Sequence, residues 1–239
     1  MNSTIGWLNE DKIVESINEK HFKEIDNSLK FFLSYLFPYA KERDKFYCSK
    51  TEEFIKPDLA ITIRKKTKYV SVKSGHASVV HCENIRNFIL FLREIGVDVD
   101  SQKTLLLYQY GDGTYDGSGS YRRDYHETYE WLKTRIAKFN YTINEKHEFV
   151  EQIVDRCLFQ GVNVNEPKAD FIYFGDIFLG LVVSRNQIMT HLKQKTWNFY
   201  ENIHVGPLLL RAHAKYAHRA VVNQQSRERV EIYWPNFEA

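Results

Sequence analysis

The chain has 239 residues, with 33 Lys and Arg against 31 Asp and Glu, a formal net charge of +2. Hydrophobic residues make up 43% and charged residues 27%, with 11 Gly and 5 Pro, which excludes collagen-like, fibrous and low-complexity chains. A chain of this length forms one large domain or two small ones and buries a full core without staples.

Three cysteines, Cys48, Cys82 and Cys157, stand far apart with no CxxC pair, so neither a disulfide framework nor a cysteine zinc site is expected. The first residues, MNSTIGWLNEDKIVE, reach acids before any apolar run develops, unlike a secretory leader. The apolar stretches Phe31–Tyr39 and Asp176–Val183 fall well short of the ~20 residues that span a bilayer. A soluble cytoplasmic protein is the expectation.

From Asn9 to Tyr39, Ile13, Ile17, Ile25, Leu29, Phe32, Leu33 and Leu36 recur at helical spacings, predicting one long or two short amphipathic helices. Asp58–Arg64 alternates with Leu59, Ile61 and Ile63 on one face, a strand; Lys65–Thr67 turns, and Lys68–Lys73 returns as a second strand. Ser78 is placed to cap a helix carrying Ile85, Phe88, Ile89 and Leu92, which Gly96 ends. Thr104–Tyr110 is apolar enough for a third strand. Helices follow over His126–Asn140 and Asn144–Phe159, the latter closed by Gly161. Ala169–Phe174 and Ile177–Val183 form a hairpin about Gly175-Asp176, and Val205–His213 and Arg229–Trp234 are late strands. This order predicts an α/β fold: a mixed sheet flanked by helices, with a helical insert and a β-rich C-terminal part.

The chemistry concentrates where that first hairpin begins and ends. Asp58 opens one strand and Lys73 closes its neighbour, so strands about 4.8 Å apart bring a carboxylate and an ammonium to one mouth. Phosphodiester hydrolysis uses a divalent cation to neutralise phosphoryl oxygens, and Mg²⁺ is held by one or two carboxylates together with substrate phosphate. A lysine beside it positions water and stabilises developing charge. An ordinary strand-start Asp and an exposed edge Lys would leave the same two residues.

Lys56-Pro57-Asp58 with Ser71-Val72-Lys73 resembles the PD-(D/E)xK nuclease superfamily, which includes many type II restriction endonucleases. The resemblance covers roughly Glu53–Ile95. It implies a restriction-endonuclease-like sheet, with Asp58 as metal ligand, Lys73 as catalytic lysine and Mg²⁺ or Mn²⁺ as cofactor. The family carries an acid where this chain has Ser71. By the same resemblance Glu83, at the start of the helix expected after Lys73, would replace it as the second metal ligand, and His81 would orient a phosphate or the ligand shell; an ordinary helix-start acid and a structural turn histidine account for the same two residues. A first-helix acid is the other source, with Glu15, Glu19 and Glu24 as candidates and Glu19 favoured; an exposed helical face accounts for all three equally.

The glycine-rich stretch Gly111–Ser120 alternates Asp112, Thr114, Asp116 and Ser118 like a calcium loop, but Arg123 stands where that loop needs Glu, and no Lys-Ser/Thr ends it as in a P-loop. It reads as a mobile loop, with Arg122 and Arg123 behind it to close on a nucleic-acid backbone. At the C-terminal end Arg211, His213, Lys215, Arg219, Gln224 and Gln225 are candidate DNA contacts; Gln suits adenine edges and Arg guanine edges or phosphates. Arg64, Lys65, Lys66 and Lys68 form a second basic run, either a phosphate contact or a solvated face. Asp170 and Asp176 are read as turn residues.

The organisation expected is one nuclease-like domain, 1–239: an N-terminal helical part to 52, a catalytic core over 53–110, a loop and helical insert over 111–168, and a DNA-contacting part over 169–239. The expected function is a Mg²⁺-dependent endonuclease on double-stranded DNA, a homodimer if its target is palindromic. A catalytically inactive nuclease-fold module that binds nucleic acid or a partner protein is the alternative, and Ser71 favours it. A third reading is an unrelated α/β protein whose hairpin matches by chance.

Overall fold

The computed structural model describes residues 2–53, 55–73, 79–121, 123–194, 202–212 and 227–235. The chain is mixed α/β, and it divides into two compact units. The first comprises Met1–Ser78 and Asp155–His191, joined by Phe237–Ala239; the second comprises Val79–Val154 and Leu192–Asn236.

The first unit opens with helix α1 (Asn2–Ile17) and helix α2 (Asn27–Leu36), the two-helix form of the predicted segment. Three strands follow: β1 (Tyr47–Lys50), β2 (Leu59–Ile63) and β3 (Lys66–Lys73), paired antiparallel in sequence. The turn between β2 and β3 is two residues long, because Arg64 and Lys65 both take positive φ, 46° and 66°. That left-handed pair matches the twist of the flanking strands. The last two strands of this sheet are the predicted late hairpin, Phe171–Gly175 and Gly180–Ser184. The first of these lies parallel to β3, with Lys73 opposite Phe174. Apolar alternation drives the packing: Leu59, Ile61, Ile63 and Val70 are fully buried against Ile13, Ile17, Leu29, Phe32 and Leu33. A fully buried Leu or Ile contributes about 1.5–3 kcal/mol, so this stripe fixes the strand register.

The second unit holds an antiparallel sheet of β4 (Val79–Asn84), β7 (Ile203–Val205), β8 (Leu208–Ala212) and β9 (Arg229–Tyr233), in the order β4-β9-β8-β7; the hairpin strands of the first unit are β5 and β6. Helices α3 (Ile85–Glu94), α4 (Val99–Tyr110) and α5 (Tyr125–Asn144) pack with it, and α6 (His147–Asp155) follows α5; the π-helical turn after α6, Arg156–Gln160, which Gly161 closes as expected, belongs to the first unit. Among the described residues no helix is long and apolar enough to cross a membrane.

Three expectations are corrected. Thr104–Tyr110 is not a strand but the C-terminal half of α4: Asp98 accepts the Ser101 N–H at 2.9 Å, and Gly111 closes the helix with φ 63°. A short apolar run has no period to separate strand from buried helix, and α4 is buried on nearly every side. The segment before α3 is strand β4, and α3 starts later, with Asn84 accepting the Arg86 N–H at 2.8 Å; Ser78 lies outside the described residues. The late strand expected from Val205 is two, folded back at Gly206 (φ 54°). Strand β1 and helix α7 (Arg185–Gln194) had no expectation at all.

Candidate active site

Asp58 stands immediately before β2 and Ser71 and Lys73 share one face of β3, so pleat and register bring the three together. Among the described residues, one oxygen of Asp58, Oδ2, takes all of its side-chain hydrogen bonds: from Ser71 Oγ at 3.0 Å, Val72 N–H at 2.6 Å and Lys73 Nζ at 3.3 Å. Lys73 Nζ also donates to the Val72 carbonyl at 2.9 Å. Ser71 is fully buried, whereas the Asp58 and Lys73 side chains are 25% and 17% exposed, so the pair borders solvent and the serine does not. A carboxylate at position 71 would face Asp58 across a hydrogen bond; the hydroxyl donates instead and fixes its rotamer. Asp58 Oδ1 has no hydrogen bond among the described residues.

Beside this cluster lies a pocket of about 350 Å³ lined by Glu10, Glu52, Glu53 and Asp58, with Lys50 on its wall. Glu10 comes from α1, and its carboxylate is 3.5 Å from Lys50 Nζ, which Asp11 also engages at 3.0 Å. Burial pushes the Glu10 carboxyl above the usual carboxylate range and repulsion from Asp58 adds to the rise, while Lys50 and Lys73 pull it down. Two acids therefore feel each other across the pocket, with two ammonium groups beside them.

Among the described residues, the acid of α1 that lines this pocket is Glu10; Glu19 does not line it. Helix α1 ends at Ile17, and Glu19 follows it in a left-handed turn (φ 60°), exposed and 3.8 Å from Lys45. Glu15 is exposed, and Glu24 caps a 3-10 turn by accepting the His21 N–H at 2.8 Å. The sequence did carry a signal for Glu10. It precedes Ile13 by three residues and Ile17 by seven, so it lies on the stripe that faces the sheet.

Glu83 and His81 stand on β4 in the second unit, not at a helix start. They share one strand face, both buried, with His81 Nε2 and Glu83 Oε1 2.9 Å apart. Cys82 points to the other face, where burial raises its thiol; burial pushes the Cys48 thiol up to about 12, which leaves no thiolate for nucleophilic chemistry there.

Of the expected DNA contacts, Arg122, His213, Lys215, Arg219, Gln224 and Gln225 lie outside the described residues. Arg123 stacks 4.1 Å above the Trp131 ring and also on Tyr121, and Arg211 lies over Tyr233 at 5.2 Å. The basic run by the first hairpin turns at the end of the sheet opposite Lys73, with Arg64 bonded to Asp44, Lys66 over the Tyr39 ring and Lys68 paired with Asp170 at 2.9 Å. The glycine-rich stretch is folded around the Asp112 carboxylate, which binds Thr114 and Gly119 N–H groups and Arg227. Asp176 organises a turn, accepting the Phe178 and Leu179 N–H groups, whereas Asp170 does not: it ties the start of β5 to β3, accepting the Tyr69 N–H at 2.9 Å beside Lys68.

Two carboxylates are what a protein usually gives Mg²⁺, so Glu10 and Asp58 fit that ion as a donor set. A cation between them would also relieve the repulsion felt by Glu10. Among the described residues no three His, Cys, Asp or Glu side chains form a complete metal cage. No known family model matches the chain, and no curated protein matches it in sequence.

Proposed function

We propose that the chain is a divalent-metal-dependent endonuclease of restriction-endonuclease-like fold that hydrolyses duplex DNA. What supports this reading is one arrangement: an Asp58 carboxylate with one oxygen locked by Ser71, Val72 and Lys73, and a second acid, Glu10, facing it across an open pocket. The mixed sheet with both motif halves at one end agrees with the PD-(D/E)xK resemblance.

Glu10 and Asp58 Oδ1 would hold Mg²⁺ or Mn²⁺. The bound ion would neutralise charge on the phosphodiester and acidify the attacking water. Lys73 orients that water and stabilises the charge that grows on the phosphoryl oxygens, and its bond to the Val72 carbonyl keeps the ammonium aimed at the mouth. Ser71, buried, is a positioning residue: it holds Asp58 and touches no substrate. Glu10 replaces the acid missing at position 71, and Glu83 keeps His81 in place inside its own sheet.

A second reading, an inactive nuclease-fold module that binds nucleic acid, draws on the same Ser71, since a closed Ser71–Asp58–Lys73 network is also a stable structural element. Plasmid incubated with Mg²⁺ separates the two. The enzyme reading expects nicking or linearisation that Asp58→Ala and Lys73→Ala each reduce at least 100-fold. Salt-sensitive binding with no cutting by the wild type rejects it in favour of the module.

A further inference from the structure

The tip of the β5–β6 hairpin is built unlike a solvent turn. Phe178 and Leu179 are 76% and 82% exposed, the most exposed large apolar side chains among the described residues. The backbone that carries them is held from every side. Asp176 Oδ1 accepts the N–H groups of Phe178 and Leu179 at 2.8 and 3.0 Å, and the Asp176 N–H donates to the Leu179 carbonyl at 3.0 Å. The Tyr173 hydroxyl bonds the Asp176 carbonyl, Ser28 on α2 bonds Ile177, and Asn9 on α1 bonds Gly175. Gly180 lies so close under the Tyr173 ring that a Cβ would come within 2.1 Å of it. Ile177 packs on the core, so of three consecutive apolar residues one is anchored and two are presented.

Position gives the tip a meaning. Strand β5 is parallel to β3 with Phe174 opposite Lys73, so the tip extends from the sheet end that carries Asp58 and Lys73. Four residues beyond that level, Phe178 lies within about 15 Å of Lys73, from a strand spacing of about 4.8 Å and a rise of about 3.3 Å per residue. Asn9, which ties the hairpin down, precedes Glu10 in α1. Bases repeat every 3.4 Å along a strand, so this reach is about four base steps.

We propose that Phe178 and Leu179 form a rigid wedge that enters the base stack of the DNA within a few steps of the phosphodiester held at Asp58 and Lys73. Exposed Phe and Leu side chains act in this way in proteins that kink or open duplexes. Two side chains expose far less than the ~800 Å² per partner of a stable protein interface, which argues against a second copy as the occupant. The wedge would open the duplex where the scissile phosphate must turn into the pocket. The inference rests on the nuclease reading, and its test separates the two.

Duplex oligonucleotides carrying an adenine analogue whose fluorescence is quenched by stacking are titrated with full-length Asp58→Asn protein in Ca²⁺, with and without Phe178→Ser plus Leu179→Ser. Cutting by the wild-type chain and the wedge variant in Mg²⁺ is measured in parallel. The expected result is a several-fold rise in emission at one or two adjacent steps, lost in the wedge variant. Cutting of matched duplex by that variant falls roughly 10–100-fold, the range expected for losing base–aromatic stacking. A mismatch at the same step restores it, and melting is unchanged. Normal cutting, or emission that ignores the tip, overturns the wedge while the nuclease stands. Tip-dependent emission from a protein whose wild type cuts nothing overturns the nuclease while the wedge stands. No binding overturns both. A variant that instead loses self-association, or retention on phosphatidylcholine vesicles, also overturns the wedge.

Discussion

Arg227→Met tests how the glycine-rich loop is held. The Arg227 guanidinium donates to Asp112 Oδ2 at 2.9 Å and to the Gly117 carbonyl, and it lies 5.7 Å from the centre of the Tyr110 ring. Both side chains of the pair are out of solvent, at 5% and 0% exposure. Breaking such a pair usually costs about 3–5 kcal/mol, because a charge is left buried alone. Here Asp112 keeps three other donors, Thr114 N–H at 2.9 Å, Thr114 Oγ at 2.8 Å and Gly119 N–H at 3.1 Å, which support the carboxylate and place the cost near the low end. Among the described residues Arg227 Nε is buried with no hydrogen-bond partner, a cost in the native state that the substitution removes. Met keeps the apolar stem against Tyr110, so little cavity term enters. The sum is about 3 kcal/mol, or about 6–12 °C in melting temperature at the 2–4 °C per kcal/mol of a chain this size. Thermal melts of Arg227→Met, Asp112→Asn and the double variant measure it, with an expected coupling of about 1.5–3 kcal/mol. A loss under 1 kcal/mol, or singles that simply add, would refute the reasoning.

Glu10→Gln separates stability from cation binding. A carboxyl raised in the folded state makes folding bind protons, so native stability falls as pH climbs from the ordinary value of 4.5 through the raised one. The Gln variant should therefore be more stable than wild type at neutral pH and lose that advantage below pH 4.5, while needing about 10–100-fold more Mg²⁺ or Mn²⁺ for the same rise in melting temperature. Equal pH profiles for the two proteins would remove Glu10 from the site. Ser71→Ala deletes a buried hydrogen bond and should cost about 1 kcal/mol in urea unfolding, with a smaller loss of cutting than Asp58→Ala. Gly180→Ala forces a methyl into the Tyr173 ring and should destabilise by about 1–3 kcal/mol; a neutral melt would show the hairpin to be looser than described.

The first hairpin and its mouth were legible because period-two alternation fixes which side chains share a face. Leu59, Ile61 and Ile63 had to face inward together, and Asp58 and Lys73 then had to meet. Helix α5 starts one residue before the expected His126 and runs past Asn140 to Asn144; the capping box of Asp124 and Glu127 at its start is a sequence signal that went unread. Where the signal was apolarity without period, reading failed. Leu105, Leu107, Tyr108 and Tyr110 suit a buried helix as well as a strand, and only the Asp98 cap and Gly111 decide between them. Val79 and Val80 are too short a run to announce β4, whose partner is β9, far along the chain.

Sequence alone determined the elements whose faces one dominant period dictates and the pairing of Asp58 with Lys73. Tertiary structure decided which acid joins them. Helical phase puts Glu10 on the buried stripe of α1, but only packing of α1 against β1 and β3 brings that stripe to the mouth of the sheet. It also decided that Ser71 donates to Asp58, that His81 and Glu83 pair on a strand, and that Phe178 and Leu179 stand clear of the core. The reason is physical: local sequence sets the direction of a side chain from its own backbone, whereas the charge it meets, and the water it loses, come from segments tens of residues away.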